Sequence, residues 1–290
     1  PKTPRRQRQM CIRDRSKTPI ITDPIILKAD DWQDYQLLDS GHGRKLERFG
    51  NQITDRPDPQ AFWMPANPIE TWKADAVFSA SGDDERGNWQ KSRPNLPDDW
   101  KMGWNGLSFE VRRSPFRHLG VFQEHSVHWR HAQEKIRAAG RPIKLLNLFG
   151  YTGMMSLAAA DAGAQVTHID ASPKSNGYGK ANQELSGIGE KPIRWIADDV
   201  LKFMRREVRR GNTYDAIVLD PPKFGRGPKN ETWRLEENLP ELLELCRAVL
   251  SEQPLFVTST VYAVRLSYLA LAQSLRDHLE GLGGTITTGE

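Results

Sequence analysis

From residue 123 onward the chain repeats one rhythm: a short apolar run, then a longer stretch in which apolar positions recur every three or four residues. Short apolar runs bounded by turn residues read as buried strands, and the longer stretches as amphipathic helices. The pattern predicts strands over residues 144–149 (KLLNLF), 165–170 (QVTHID), 193–197, 216–220 and 255–260. It predicts helices over 124–139, 152–162, 173–185, 200–210, 239–250 and 266–279. Gly163 closes the second of these, and Pro173 stands in the first turn of the third, after Ser172 as its cap. Strand and helix alternating in this way imply an α/β fold with a doubly wound, mostly parallel sheet covered on both faces. Ligands of such sheets sit at the carboxyl ends of the strands. The last residues, 284–290 (GTITTGE), read as the start of a sixth strand. A sheet truncated there is expected to leave the fifth strand with a poorly covered edge.

Residues 32–110 have a different character, rich in Trp, Pro, Asp and Gly. YQLLDSGHGRKLERFG, residues 35–50, reads as a hairpin around Gly41, His42 and Gly43. Residues 79–104 read as loop, because Gly82, Gly87, Pro94 and Pro97 interrupt them, and 107–111 alternate as a strand. The organisation expected is residues 1–15 outside the fold, a small β-rich substrate-side domain over 30–112, and an α/β domain over 113–290. Seven of the nine tryptophans precede residue 130. They are read as core packing for a small domain.

Composition alters this picture in one respect. The net charge of +4 and pI near 9.0 suggest a nucleic-acid binder. Residues 1–15, however, hold six of the cations and one acid, so the remaining 275 residues carry 35 cations and 36 acids. The opening string RRQRQMCIRDR resembles the translation of a sequencing adapter, with a disordered basic arm as the alternative reading. It has no signal-peptide pattern, nothing approaches the ~18 apolar residues of a membrane span, and a cytoplasmic protein is expected. Cys246 is the one cysteine beyond Cys11, which argues against a disulfide framework and a zinc cluster. His125 and His128 lack a third ligand, so no metal site is expected.

Four features fall where the strands end. Asn147, Leu148, Phe149, Gly150, Tyr151, Thr152 and Gly153 run from the first strand into a helix, where glycines allow close backbone approach and free N–H groups face a ligand. They lack the G-x-G-x-x-G spacing of dinucleotide sites. Asp170 ends the second strand, 20 residues after Gly150, where an acid can bind a ribose diol or cap a helix. Asp198 and Asp199 follow the third strand, placed for an adenine amino group or for capping at Val200. Asp220, Pro221, Pro222, Lys223 and Phe224 follow the fourth: the prolines rigidify the exit, the Asp carboxylate and Pro221 carbonyl stand as acceptors, and the aromatic can stack on a base.

With these motifs in place, residues 117–290 resemble a class I S-adenosylmethionine-dependent methyltransferase. LNLFGYTG, HIDAS, IADDV and DPPKF stand at that family's motif positions. Together with GVFQEHS they are similar to the bacterial large-subunit ribosomal RNA cytosine-C5 methyltransferases. The resemblance implies that Asn147, Phe149, Gly150, Tyr151, Thr152 and Gly153 line the methionine end of S-adenosylmethionine. By the same resemblance Asp170 and Ala171 bind its ribose, Asp198 and Asp199 lie at its adenine, and Asp220, Pro221, Pro222 and Phe224 face the acceptor.

One departure bears on the acceptor. Cytosine C5 is a poor nucleophile, and enzymes that methylate it first add a cysteine thiolate to C6. The resembling group has that Cys at the end of the fifth strand, where this chain has Ser259. Cys246 belongs to a helical apolar stripe and is read as core. In-line transfer to a nitrogen needs no covalent nucleophile. The leading expectation is therefore an RNA N-methyltransferase, with ribosomal RNA as partner and with Lys223, Arg226 and Lys229 contacting phosphates. A cytosine-C5 enzyme with an unrecognised nucleophile and a non-catalytic RNA- or cofactor-binding protein are the alternatives, and a nicotinamide-dependent dehydrogenase is a more distant one.

Overall fold

The computed structural model describes residues 18–29, 32–82, 86–262 and 267–290. The basic segment 1–15, with Cys11, lies outside the described residues. The described chain begins with β1 (Ile20–Ile21), then β2 (Tyr35–Gly41), β3 (Arg44–Phe49), β4 (Gln52–Pro57), β5 (Ala76–Ala80), β6 (Gly87–Lys91), β7 (Asp99–Trp104) and β8 (Leu107–Arg112). The α/β portion follows as α1 (Ser126–Ala138), β9 (Lys144–Leu148), α2 (Met154–Asp161), β10 (Gln165–Asp170), α3 (Pro173–Leu185), β11 (Ile193–Ala197), α4 (Val200–Arg210) and β12 (Ala216–Leu219). It continues through β13 (Phe224–Arg226), β14 (Thr232–Arg234), α5 (Leu235–Val249), β15 (Phe256–Ser259), α6 (Tyr268–His278) and β16 (Thr285–Ile286).

The central sheet has the order β11-β10-β9-β12-β15 with every neighbouring pair parallel. This is the doubly wound architecture expected from the alternating pattern. Side chains alternate across its strands, as the two-residue period requires. Leu145, Val166, Ala216 and Val218 join α1 and α2 in one apolar cluster, while Leu146, Leu148, Ile217 and Leu219 join α4 and α5 in another. Caps follow the predicted chemistry: the Ser172 hydroxyl accepts from Ser175 N, and Gly211 closes α4 in the left-handed conformation.

The N-terminal half is more regular than expected. The hairpin over 35–50 forms as β2 and β3. Residues 79–104, expected as loop, hold all of β6 and β7, and β7 pairs with β8 through Asn105 and Gly106, both at positive φ. Asn-Gly is the preferred pair for a tight hairpin, and Trp100, Met102 and Trp104 alternate inward along β7. Glycine and proline density masked that alternation. Trp32, Trp100, Trp104 and Phe109 enter the same apolar cluster as Trp129, Leu145 and Leu157, so the core runs continuously into the α/β portion.

The C-terminal expectation is corrected. Residues 285–286 do not enter the central sheet; β16 pairs in parallel with β1. Gly281, Gly283 and Gly284, all at positive φ, turn the chain there after α6. β15 stands at the edge of the sheet.

His168 lies on β10 with no solvent exposure, its Nδ1 2.9 Å from the Ser156 hydroxyl and its Nε2 without a hydrogen-bond partner among the described residues. Burial pushes its pKa down to about 3. The folded state keeps this imidazole neutral while the unfolded chain protonates it near pH 6.5, so its stabilising contribution is complete above 6.5 and declines below. The decline is about 1.4 kcal/mol per pH unit. Urea midpoints should fall between pH 7 and pH 5.5, and His168→Gln should flatten that slope; an equal slope in the variant would clear His168 of the effect.

Candidate functional site

Chain order reverses between β9 and β12, so the connections leaving these neighbours run to opposite faces and open a crevice at their carboxyl ends. The crevice is lined by Asn147, Phe149, Gly150, Tyr151, Thr152 and Gly153 after β9, and by Val218 and Asp220 from β12. Thr258 and Thr260 line it from β15, and His125, His128 and Trp129 from the start of α1.

The turn from β9 to α2 is strained. Phe149 and Tyr151 have φ of 58° and 51° on either side of Gly150, a conformation that costs non-glycine residues about 1–3 kcal/mol each. Surrounding bonds hold it: Gly150 N donates to Ile169 O, Tyr151 N to Asp170 Oδ2 (2.8 Å), and Thr152 Oγ1 to Gly120 O (2.7 Å). The nearest reason for the glycines is packing from beneath. A Cβ on Gly150 would lie 2.2 Å from the His168 ring, and one on Gly153 2.5 Å from the Trp195 ring. No side chain caps α2, and its first residues, Met154 and Met155, line the crevice. The positive end of that helix is therefore available to a polar or anionic group.

Gly150→Ala should displace this turn at a cost of about 1–3 kcal/mol, read as a ~5- to 150-fold loss of S-adenosylmethionine affinity in calorimetry. Unchanged affinity would show that the turn does not shape the binding surface.

The acids at the other strand ends are tied into the backbone. Asp170 accepts from Tyr151 N and Ser172 N, both at 2.8 Å, and burial raises its carboxyl above the usual range. It thereby fastens the strained turn to the start of α3, with Ala171 between. Asp199 caps α4 through Lys202 N (2.9 Å), and Asp198 pairs with Arg206. Asp170, Asp198 and Asp199 flank the crevice and do not line it.

Asp220 accepts a hydrogen bond from the Thr260 hydroxyl on Oδ1 and places Oδ2 3.7 Å from His125 Nδ1. Pro221 is buried, and the Pro222 carbonyl accepts from Trp233 Nε1 (2.7 Å). Trp233 packs on Phe149, ring centroids 4.9 Å apart, linking the β12 exit to the β9 exit. Phe224 and Arg226 lie on β13, which forms an antiparallel hairpin with β14. Phe224 is half exposed with the Arg226 guanidinium over its ring, and Lys223 and Lys229 are exposed. Ser259 does not line the crevice: alternation on β15 turns Thr258 and Thr260 inward, and the Ser259 hydroxyl is buried without a hydrogen-bond partner among the described residues.

Sequence patterns missed His125, His128, Thr258 and Thr260. In sequence the two histidines suggest only a metal pair, and their meeting with Asp220 depends on α1 packing across the β12 exit. Among the described residues no three His, Cys, Asp or Glu side chains converge to hold a metal ion, and no helix is long and apolar enough to cross a membrane.

Residues 80–252 match the family model described as S-adenosylmethionine-dependent methyltransferase. The chain belongs to this family. This methyltransferase is similar to the crystal structure of an S-adenosylmethionine-dependent methyltransferase from Agrobacterium tumefaciens, at 44% identity and a TM-score of 0.91 over 95% of this chain and 88% of that one. It is 31% identical over 133 residues to the ribosomal RNA large subunit methyltransferase K of Neisseria meningitidis serogroup B. It is 34% identical over 105 residues to the ribosomal RNA large subunit methyltransferase I of Klebsiella pneumoniae. Those matches take in 46% and 36% of this chain, and only 36% and 24% of the two relatives. S-Adenosylmethionine is the cofactor of the family, and the uncapped α2 end together with the acceptors along the β9 and β10 exits fits a ligand with a charged amino-acid end and a ribose.

Proposed function

We propose that this methyltransferase acts on RNA, ribosomal RNA being favoured by the names of its relatives, and that it methylates a base nitrogen directly. One observation carries the choice of nitrogen: among the described residues the crevice beside Asp220 is lined by Thr258 and Thr260 and by no thiol. Cys246 is buried in α5, where burial pushes its thiol up to about 12. It supplies no thiolate to attack C6 of a pyrimidine.

In this reading Asn147, Phe149, Gly150, Tyr151, Thr152 and Gly153 hold the methionine end of the cofactor. Asp170 and Ala171 hold its ribose side, and Asp198 and Asp199 its adenine side. When bound, S-adenosylmethionine supplies an electrophilic methyl group on a sulfonium. Asp220 and the Pro221 carbonyl accept hydrogen bonds from the acceptor N–H and aim its lone pair. Phe224 stacks on the base, and Lys223, Arg226 and Lys229 on the hairpin meet phosphates. Residues 30–112 form the substrate-side domain and 113–290 the cofactor-binding domain.

Tritiated methyl transfer to fractionated bacterial RNA, followed by nucleoside analysis, tests the reading. Label on a base nitrogen is the expected result. Label on cytosine C5, with a covalent complex trapped by 5-fluorocytosine RNA, would move the acceptor to carbon, and label in protein alone would remove RNA as substrate.

A further inference from the structure

Methyl transfer to an N–H acceptor leaves a proton to be removed. The nitrogen lone pair forms the N–C bond, the electron pair of the C–S bond goes to sulfur, and the N–H proton must then leave the nitrogen. Asp220 is well placed to orient that N–H and to receive the proton, which must then pass on for the carboxylate to serve again. An imidazole beside the carboxylate is the side chain most often used for such proton transfer.

His125 supplies that imidazole. It stands immediately before α1, lines the same crevice, and holds Nδ1 3.7 Å from Asp220 Oδ2. Thr260 occupies the other carboxylate oxygen, so Oδ2 is the one turned to His125. Phe122 packs 5.8 Å from the His125 ring on one side, with His118 beyond it, and His128 lies 6.0 Å away on the other. His131 follows further along α1, against Phe256. Burial, with His125 and His131 as neighbours, pushes His128 down to about 4, so it stays neutral near pH 7 and brings no charge to compete for Asp220. Asp220 is then the charged group facing His125 from the sheet, with His118, His128 and His131 the other titratable groups around it.

We propose that His125 is the relay residue of the transfer, taking from Asp220 the proton that the acceptor nitrogen releases. The inference rests on the nitrogen-acceptor reading above, and it narrows the acceptor to a nitrogen that carries a hydrogen, such as an exocyclic amine or a ring imide.

Two measurements on the full chain test it. In the first, nitrogen NMR of the histidine rings follows titration in the wild type and in Asp220→Asn. Replacing the carboxylate should move the His125 ring-nitrogen signals, and His125 signals that coincide in the two proteins throughout the titration would overturn the pairing. In the second, single-turnover transfer from tritiated S-adenosylmethionine to bulk bacterial ribosomal RNA is compared in wild type, His125→Gln and His125→Ala. The variants should transfer about 100-fold more slowly with unchanged cofactor affinity, lose the rise in rate between pH 6 and 8, and regain part of it in His125→Ala on adding imidazole. A wild-type rate with the wild-type pH profile in His125→Gln would overturn the relay, and that variant decides the kinetic arm if His125→Ala melts early. Failure of the wild type to label any RNA nitrogen would strike the nitrogen-acceptor reading instead, and the NMR titration would still decide the pairing.

Discussion

Asp220→Ala will slow methyl transfer by about 10²- to 10³-fold and leave S-adenosylmethionine affinity within a few-fold of the wild type. The size follows from removing one fixed acceptor aimed at the reacting group, worth about 3–4 kcal/mol in comparable sites. The separation of rate from affinity follows from geometry. Asp220 touches Thr260 and faces His125, whereas the strained turn after β9 is held by Asp170, Ile169 and Gly120 and has no bond to Asp220. Its side chain is about a third exposed, so the substitution should cost little stability. Calorimetry for affinity and radiolabel transfer for rate check both halves. A parallel loss of affinity would place Asp220 against the cofactor, and an unchanged rate would remove it from the reaction.

Arg56→Met should destabilise the fold by about 3–5 kcal/mol, the largest loss expected from any single substitution considered. Arg56 and Glu47 are both buried, Glu47 completely. Arg56 donates from Nε and Nη2 to Glu47 Oε2 at 2.9 and 2.7 Å, and from Nη1 to the Arg117 carbonyl at 3.0 Å. Glu47 Oε1 accepts from the Tyr35 hydroxyl and from Gln123 Nε2. Removing the guanidinium strips the buried carboxylate of both its short charged hydrogen bonds and leaves Lys45 Nζ, 3.7 Å from Oε1, as its remaining cation. Replacing both partners, as Glu47→Leu with Arg56→Met, should recover most of the loss, because an apolar pair need not be desolvated. Urea denaturation of the single and double variants measures this, and a single-variant loss below 1 kcal/mol would contradict it. The network also ties β3 and β4 to Gln123, two residues before His125, so the single variant should lose transfer activity below its melting temperature as well.

The α/β half was legible because each of its strands is a short buried run and each helix a clean periodic stretch; β10, α3, β11 and α4 fall where the periodicity puts them. The strand-end motifs were legible for the same reason, since the fold fixes where carboxyl ends must be. β7 was hidden because Gly82, Gly87, Pro94 and Pro97 made residues 79–104 read as loop, although Trp100, Met102 and Trp104 alternate and Asn105-Gly106 marks a tight hairpin. The route of residues 285–286 to β1 was invisible, because parallel pairing between segments so far apart leaves no local pattern. Asp199 shows the limit at single residues: capping and ligand binding ask for the same side chain at the same position, and the sequence offers both. His125 escaped because its partner, Asp220, is distant in sequence and only packing brings them together.

The pairing of Ile20 and Ile21 with Thr285 and Ile286 has a consequence for how the chain folds and opens. Bridging segments 264 residues apart through an open chain costs about 5 kcal/mol in closure entropy, which the five backbone hydrogen bonds joining Ile20, Thr22, Ile25 and Leu27 to residues 284–290 only about offset at roughly 1 kcal/mol each. The clasp can close only after the two larger sheets have brought its halves together, so it is the last contact to form. The same asymmetry should make it an early contact to release: hydrogen exchange is expected to find the amides of Ile20, Thr22 and Ile25 faster than those of β9 and β12, which wait for global unfolding.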